Sequence, residues 1–204
     1  MKTAHNESAV AEGRGPGRPR DEEVRKRILD AAEKLLEDVG VTSTTVDAIA
    51  DLAGASKATV YRWWPNKASV LIDAFRQAVG EELPFPDTGA FEEDIRQQVR
   101  TFTSLLMSRK GRLLAAFVRA AQQDPEVKAA FREYWLIPRR AEAKQAMERH
   151  RQRGDMPADM DLDIAIDVLY GPLYYHMLTG YRELSLDYAD ELVEAALSGL
   201  RARK

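Results

Sequence analysis

Apolar residues recur every three to four positions along most of the chain, which is the period of an amphipathic helix. The first stretch with this period lies between Asp21, a suitable N-cap, and Gly40, a suitable stop. We therefore predict a first helix over residues 21 to about 39. Its apolar face comprises Val24, Ile28, Ala31, Leu35 and Val39.

Two short helices are predicted next, each bounded by residues that start or stop a helix. Thr44 is the expected cap of the second helix and Gly54 its end. Ser56 is the expected cap of a third helix over residues 57 to about 63, which Pro65 ends. Two short helices joined by a turn containing glycine are typical of a helix-turn-helix.

The helical period continues to the end of the chain, with one interruption. Asn66 should cap a fourth helix that ends before Gly80, and the segment 82–89 contains prolines and a glycine that break the period. No stretch alternates as a strand would, so the sequence predicts an all-α fold. Pro138 and Pro172 should kink or divide two of the later helices. Those helices are expected at 90–108, 111–122, 126–153, 161–179 and 188–202.

Composition excludes several classes of protein. With 45% hydrophobic residues and a net charge of −3, the chain suits a globular protein, and the absence of cysteine excludes disulfides and thiolate metal sites. The longest unbroken apolar run, residues 113–118, is far shorter than the roughly 20 residues needed to span a bilayer. The N-terminus has no apolar signal segment, so we expect a cytoplasmic protein.

The overall charge hides a local basic segment around the predicted third helix. Between Asp51 and Asp73 there is no acidic residue, whereas Lys57, Arg62 and Lys67 lie within that interval. Cations concentrated on one short element indicate a partner with negative charge, such as nucleic acid.

Residues 1–20 are predicted to form a flexible basic arm. Its GRGPGRPR stretch combines arginines, including Arg18 and Arg20, with glycines and prolines that oppose helix formation. GRPR resembles the AT-hook core, in which an extended Arg-Pro-Arg backbone lies in a narrow minor groove. The alternative is a disordered linker whose charges only strengthen nonspecific binding.

The segment TTVDAIADLAGASKATVYRWWPNKASVL carries a more specific signal. It resembles the TetR-family signature, T-x-x-x-I-A-x-x-A-G-[VA]-S-x-x-T-[LV]-Y-x-x-F-x-x-K, and the resemblance covers residues 21 to about 79. The main departure is Trp64, where the family usually has phenylalanine or another apolar residue. The resemblance implies a three-helix DNA-binding domain at residues 21–81 and a helical effector-binding and dimerisation domain at residues 82–204.

The third helix should supply most of the DNA contacts. Its position in the helix-turn-helix makes Lys57, Thr59 and Tyr61 the leading candidates, while Val60 and Trp64 should face inward. The resemblance adds Ala58 and Trp63 as base contacts and Lys67 as a phosphate contact. Alternatively, Trp63 covers the first helix and Arg62 is only a solvated charge. The complete predicted set is Thr45, Lys57, Ala58, Thr59, Tyr61, Arg62, Trp63 and Lys67, with Arg18 and Arg20 from the arm.

The last two predicted helices have more apolar surface than one core requires. The helix from Asp161 has a second apolar face, formed by Ile164, Val168 and Tyr175, and the final helix is similarly broad. We therefore expect a homodimer through helices 161–179 and 188–202, which agrees with the resemblance. A dimer would also place two reading helices on successive major-groove faces of a palindrome.

A ligand cavity is expected among the helices of residues 90–179. The candidate lining residues are large and mostly apolar, although each could equally be ordinary core: Phe102, Leu106, Phe117, Trp135, Tyr170, Tyr174, His176 and Met177. His176 should be a hydrogen bonder. With the other histidines far away in sequence and no cysteines, no metal site and no cofactor are predicted.

These observations predict a repressor that a small-molecule ligand releases from a palindromic operator. An activator of the same fold, a helical enzyme and a protein adaptor remain as alternatives. The enzyme has little support because the sequence lacks a nucleophile elbow, a P-loop, an HExxH motif and a dinucleotide fingerprint.

Overall fold

Helices account for all the regular secondary structure in residues 18–80 and 82–201, the part of the chain that the computed structural model describes. Ten α-helices and one π-helical turn follow each other there. They are α1 (Arg18–Ser43), α2 (Val46–Ala53), α3 (Lys57–Trp63), α4 (Lys67–Gly80), α5 (Phe91–Met107), α6 (Arg109–Ala121), α7 (Pro125–Phe131), the π turn (Arg132–Leu136), α8 (Ile137–Arg153), α9 (Leu162–Thr179) and α10 (Leu186–Arg201). No helix among these residues is both long and apolar enough to cross a bilayer.

The first helix begins earlier than predicted. It starts at Arg18, so the last residues of the supposed arm are helical, and Asp21 lies in the first turn instead of capping it. Pro19 is tolerated there because the first N–H groups of a helix have no partner within the helix. Gly40 interrupts the helix as predicted, with a φ of 79°, although another helical turn follows it.

Side-chain caps fix the ends of the next three helices. The cap of α2 is Thr45, whose hydroxyl accepts from the Ala48 N–H, and the prediction of Thr44 was wrong. Thr44 is buried and donates to the Gly40 carbonyl at 2.7 Å. Ser56 caps α3 as predicted, and Asn66 accepts from the Ser69 N–H at the start of α4.

The helix predicted over 126–153 is divided into α7, the π turn and α8. Pro138 explains the division. It has no N–H, and its ring would collide with the carbonyl of Tyr134 four residues earlier in a regular α-helix. The backbone instead widens by one residue, and the Ile137 N–H donates to the Arg132 carbonyl. Pro172 lies within α9 without dividing it.

Helix α4 joins the two halves of the chain. It packs against α1 on one side and against α7 and the π turn on the other. Its Phe75 ring lies 5.2 Å from the Trp135 ring and 5.7 Å from the Phe117 ring, measured between centroids. The core is therefore continuous from one half of the chain to the other. Residues 82–90, which link the two halves, form no helix.

Candidate functional site

Helix α3 turns one face inward and one outward, as predicted. Val60 and Trp64 are buried at 1% exposure each, which confirms their place in the core. Lys57, Ala58 and Tyr61 are exposed on the opposite side. The exposed face is thus formed by the residues that the sequence assigned to DNA reading, held in place by the buried ones.

Hydroxyl groups on this face also take part in capping. Ser56 Oγ accepts from the Thr59 N–H at 3.1 Å, and the two hydroxyl oxygens lie 2.8 Å apart. Thr45 is exposed and uses its oxygen to cap α2. A hydroxyl that accepts a capping bond still has its proton to donate, so Thr45 can bind a phosphate oxygen.

Two of the predicted cations are already paired on the surface. Lys57 Nζ lies 3.0 Å from Asp47, and Arg62 lies 2.9 Å from Asp21. The hydrogen bond to Asp47 raises the pKa of Lys57 above its usual value. Exposed pairs of this kind are worth little in water, so a phosphate can displace the carboxylate at small cost.

Lys67 and Trp63 have structural contacts that the sequence did not indicate. Lys67 Nζ donates to the carbonyls of Val41 and Thr42, at 3.4 and 3.5 Å, at the end of α1. Trp63 is half-buried, and the Arg62 guanidinium carbon lies over the Trp63 ring, 5.7 Å from the ring centroid. Its Nε1 is buried and finds no hydrogen-bond partner among the described residues.

The arm residues Arg18 and Arg20 cannot be placed against this surface. Their backbone belongs to the first turn of α1, but their side chains lie outside the described residues, as do residues 1–17. Because residues 18–20 are helical, they do not have the extended backbone that a minor-groove hook requires, and the role of residues 1–17 stays a prediction.

A cavity of about 210 Å³ lies between α5, α8, α9 and the π turn. Four of the eight predicted ligand residues line it: Phe102, Trp135, Tyr170 and Tyr174. Sequence reasoning missed the rest of its lining, namely Phe85, Leu136, Arg139, Arg140, Ala143, Ile166, Asp167 and Gly171. The helical period of α8 could have indicated that Arg139 and Ala143 face the cavity. Phe85 lies in the non-helical junction, where no such period exists.

The other four predicted ligand residues lie elsewhere. Leu106, His176 and Met177 line a separate surface groove beside Arg112 and Arg182. Phe117 lines neither space and is fully buried against Phe75. The predicted set therefore mixes one cavity, one groove and ordinary core.

Polar groups in the cavity are few and well defined. Trp135 Nε1 donates to the Tyr174 oxygen at 2.9 Å, and burial raises the pKa of Tyr174 to about 12. Burial also raises the pKa of Tyr170, whose hydroxyl makes no hydrogen bond of standard geometry within the described part of the chain. Both phenols are therefore neutral, and the Tyr170 hydroxyl, which lies beside the Gln98 amide, can donate to a ligand.

Arg139 supplies positive charge at the cavity wall. Its side chain is only 15% exposed and contacts Glu142 at 2.5 Å. It also donates to the Leu83 carbonyl and stacks over the Phe85 ring at 4.7 Å. Arg140 is paired with Asp167 at 2.6 Å and so links α8 to α9 at the rim.

Helix α9 has the two apolar faces that its sequence predicts. Ile166, Leu169 and Leu173 are buried within the chain, whereas Ile164 and Val168 are exposed. Tyr175 and Leu178 extend the exposed strip toward the end of the helix. An exposed apolar strip on a long helix is typical of an interface between proteins.

Helix α10 packs one face against α5 and α9 of its own chain. Val193, Ala196 and Leu197 are buried on that face, and the role of this helix in a dimer stays a prediction. Leu192 is half-buried, and the side chain of Leu200 lies outside the described residues. The surplus apolar surface is therefore mainly that of α9.

Family models match both halves of the chain. Residues 28–74 match the model described as bacterial regulatory proteins, tetR family. Residues 85–196 match the model described as tetracyclin repressor-like, C-terminal domain.

Similar individual proteins fall in the same group. The chain is 39% identical to the uncharacterized HTH-type transcriptional regulator YdeS of Bacillus subtilis (strain 168), over 91% of this chain and 94% of that protein. It is 26% identical to the DNA-binding transcriptional repressor TetR of Mycobacteroides abscessus, over 75% and 81% of the two chains. The crystal structure of the TetR family transcription regulator SCO0332 superposes with a TM-score of 0.80 and 34% identity, covering 87% of this chain and 98% of that one.

Proposed function

Because the chain belongs to the tetR family of bacterial regulatory proteins and is a DNA-binding transcriptional regulator, we propose that it is a homodimeric repressor that a small molecule releases from a palindromic operator. The observation that carries the proposal is the outward face of α3, where Lys57, Ala58 and Tyr61 are exposed above a buried frame. A regulator of this kind acts beside the chromosome, so we infer a cytoplasmic location.

The proposed DNA contacts fall into two groups. Lys57, Ala58 and Thr59, at the start of α3, approach base edges in the major groove. Tyr61 and Thr45 donate to phosphates on either side and fix the register of the helix. Arg62 and Trp63 complete the surface, and Lys67 supports it by holding the end of α1 in place.

Dimerisation is proposed through the exposed strip of α9, formed by Ile164, Val168, Tyr175 and Leu178. Burying such a strip against its symmetry mate removes apolar surface from water on both chains. It also sets the distance between the two α3 helices, which must be about 34–36 Å to read successive faces of the major groove.

The proposed effector binds in the cavity. Five aromatic side chains and a volume of about 210 Å³ favour a small, largely apolar molecule. Its polar group should accept a hydrogen bond from the Tyr170 hydroxyl, and negative charge on it would be favoured by nearby Arg139. An uncharged aliphatic molecule would leave the buried hydroxyl without a partner.

Contact between aromatic rings supports a route from the cavity to the DNA. Trp135 lines the cavity and also packs on Phe75 of α4. Two residues before Phe75, Asp73 accepts a hydrogen bond from Trp64 at the end of α3. A ligand that displaces Trp135 would shift α4 and favour one spacing of the two reading heads over the other.

The DNA-binding part is tested by selecting bound duplexes from a random pool with the full chain. We expect a palindrome, bound with an affinity that falls steeply as salt rises. Recovery of no enriched sequence would contradict the repressor proposal, and an enriched site without two-fold symmetry would contradict the dimer.

The effector part is tested by screening small aromatic acids and phenols against the complex with the selected operator. A true effector should release the DNA and raise the melting temperature of the free protein. Ala143→Leu, which would place a larger side chain in the cavity from α8, should abolish both effects while leaving operator binding intact. Release that persists in this variant would contradict the cavity as the effector site.

A further inference from the structure

His150 lies between two carboxylates near the end of α8. Its ring is 2% exposed, with Nδ1 at 2.9 Å from Asp155 and Nε2 at 3.0 Å from Asp94. One ligand atom each from Asp87, Asp94 and His150 lie within 4.8 Å of one another. The fold thus brings together the junction segment, the start of α5 and the end of α8.

The buried Nε2 of His150 makes no hydrogen bond of standard geometry with any described atom. Nδ1 contacts both the Asp155 carboxylate, which only accepts, and the Arg153 guanidinium at 3.0 Å, which only donates, so these two contacts do not fix the position of the ring proton. When Nδ1 carries the proton, the lone pair of Nε2 faces the Asp94 oxygen. A metal cation between these two atoms would then satisfy both.

The short distance between Nε2 and Asp94 is what a shared metal ion would produce. Ligand atoms about 2.1 Å from one cation, at angles of about 90–110°, lie roughly 3.0–3.4 Å apart. The observed separation is 3.0 Å. A small void of about 10 Å³, close to the volume that holds one water, is lined by Asp94 and His150 but not by Asp87.

The surroundings of the cluster resemble the supporting shell of a metal site. A histidine that binds a metal nearly always donates its other N–H to a carboxylate or carbonyl, and Asp155, 2.9 Å from His150 Nδ1, is placed to accept such a bond. Asp94 is fixed in turn by the Thr88 hydroxyl at 2.6 Å and the Thr88 N–H at 3.0 Å. These bonds orient both groups before any ion is bound.

Two arginines and three aspartates surround the cluster, and their charges do not cancel completely. Arg153 lies 2.7 Å from Asp87 and 3.0 Å from His150 Nδ1, and Arg149 lies 3.2 Å from Asp87. These two guanidinium groups face three carboxylates, so a net charge of −1 remains when the His150 imidazole is neutral. Asp87 is 44% exposed and can turn from its arginine partners toward an ion at small cost.

We propose that Asp87, Asp94 and His150 bind one divalent transition-metal ion, with Asp155 orienting the imidazole. One imidazole with two carboxylates suits Zn²⁺ better than Mg²⁺ or Ca²⁺, which prefer oxygen ligands alone. The ion joins the end of α8 to the start of α5 beside the effector cavity. Its role is to hold this end of the helical domain together, independently of DNA binding.

The test uses the full chain after removal of metals with a chelator. Calorimetric titration with ZnCl₂ should give one ion per chain, and the melting temperature should rise by about 5–10 °C at a hundredfold excess over Kd. His150→Gln and Asp94→Asn should lose both effects. Asp155→Asn should weaken binding by about 10–100-fold. His176→Gln and Asp163→Asn, which change the same residue types elsewhere, should behave as wild type.

Two results would overturn the proposal. One is the absence of stoichiometric zinc binding by the wild-type chain. The other is binding that survives in both His150→Gln and Asp94→Asn, since the zinc would then lie elsewhere. If those variants do not fold, anomalous scattering from wild-type crystals soaked in ZnCl₂ decides the question. A peak within bonding distance of His150 Nε2 supports the site, and a peak only elsewhere excludes it.

Discussion

Trp64 donates a hydrogen bond from its indole Nε1 to a carboxylate oxygen of Asp73 at 3.0 Å, and both side chains are buried. Asp73 also accepts from Arg25 on α1 at 2.6 Å and from Arg76 at 3.3 Å. The end of the reading helix is thereby fixed to α1 and α4 through one acidic group. Phenylalanine, which the family usually has in place of Trp64, would fill only part of the space and could not donate.

Trp64→Phe should therefore destabilise the protein even though it follows the family pattern. It removes a buried donor and leaves part of the indole volume empty, and we expect a loss of about 2 kcal/mol or more in the free energy of unfolding. Urea denaturation measures it. Trp63→Phe, at the half-buried neighbour, should cost less, and equal losses in the two variants would contradict the role of Asp73.

Tyr61→Phe should weaken operator binding without affecting the fold. Losing one hydroxyl donor to phosphate should reduce affinity by about 3–10-fold, and similarly for all sequence variants of the operator. Fluorescence anisotropy at fixed salt checks the effect. Tyr181→Phe, at an exposed tyrosine beyond α9, is the matched control. A loss confined to particular base pairs would assign Tyr61 to base reading instead.

Val168→Asp should separate the proposed dimer. The valine is exposed in the isolated chain, so a charge there is harmless to the monomer but costly once buried against a partner. We expect the dimer dissociation constant to rise by roughly 100-fold or more. Light scattering after size exclusion measures it, with Met107→Asp on exposed α5 surface as the control. An unchanged dimer would place the interface elsewhere.

Gly111→Ala should be far more damaging than the size of the change suggests. An added Cβ would lie 2.1 Å from the carbonyl oxygen of Leu106, and backbone at the α5–α6 turn cannot move aside as a side chain could. A loss of about 3 kcal/mol or more in unfolding free energy is expected. Gly199→Ala, where the added methyl group meets open space, should be neutral or slightly stabilising. Similar melting temperatures for the two variants would refute this.

The raised pKa of Tyr174 predicts a loss of stability at high pH. Burial raises its pKa from the ordinary 10.0 to about 12, so the fold favours the neutral phenol. This contribution is complete below a pH of about 10 and is lost as the pH rises toward 12, to the extent of about 2–3 kcal/mol. Tyr174→Phe should therefore show a shallower decline of unfolding free energy over that range than wild type or Tyr181→Phe. An equally steep decline in Tyr174→Phe and in wild type would contradict this role of Tyr174.

The starts of α3 and α4 and the C-terminal end of α3 could be predicted from sequence, because each depends on a side chain next to it. Ser56 and Asn66 cap the two helices, and Pro65 cannot continue the first. The predicted start of α2 at Thr44 was wrong, because Thr44 and Thr45 are both able to cap. Only the packing of the chain decides that Thr44 is buried and Thr45 is the cap.

The cavity and the His150 cluster could not be predicted in the same way. Phe117 and Trp135 follow the same helical period, yet one lies in the core and the other lines a cavity. That difference depends on the space left between helices and not on the sequence near each residue. Asp94 and His150 are far apart along the chain, and only the packing of α5 against α8 brings them together.

The π turn has a consequence for how this protein can evolve. Deleting one residue from Arg132–Leu136 would restore a regular α-helix but would rotate everything after it by about 100° relative to the preceding helix. Arg139, Ala143 and His150 would all leave the faces they now occupy. Relatives that keep this cavity should therefore keep the length of the turn as well as Trp135, so that insertions and deletions here mark lineages in which the cavity was rebuilt or lost.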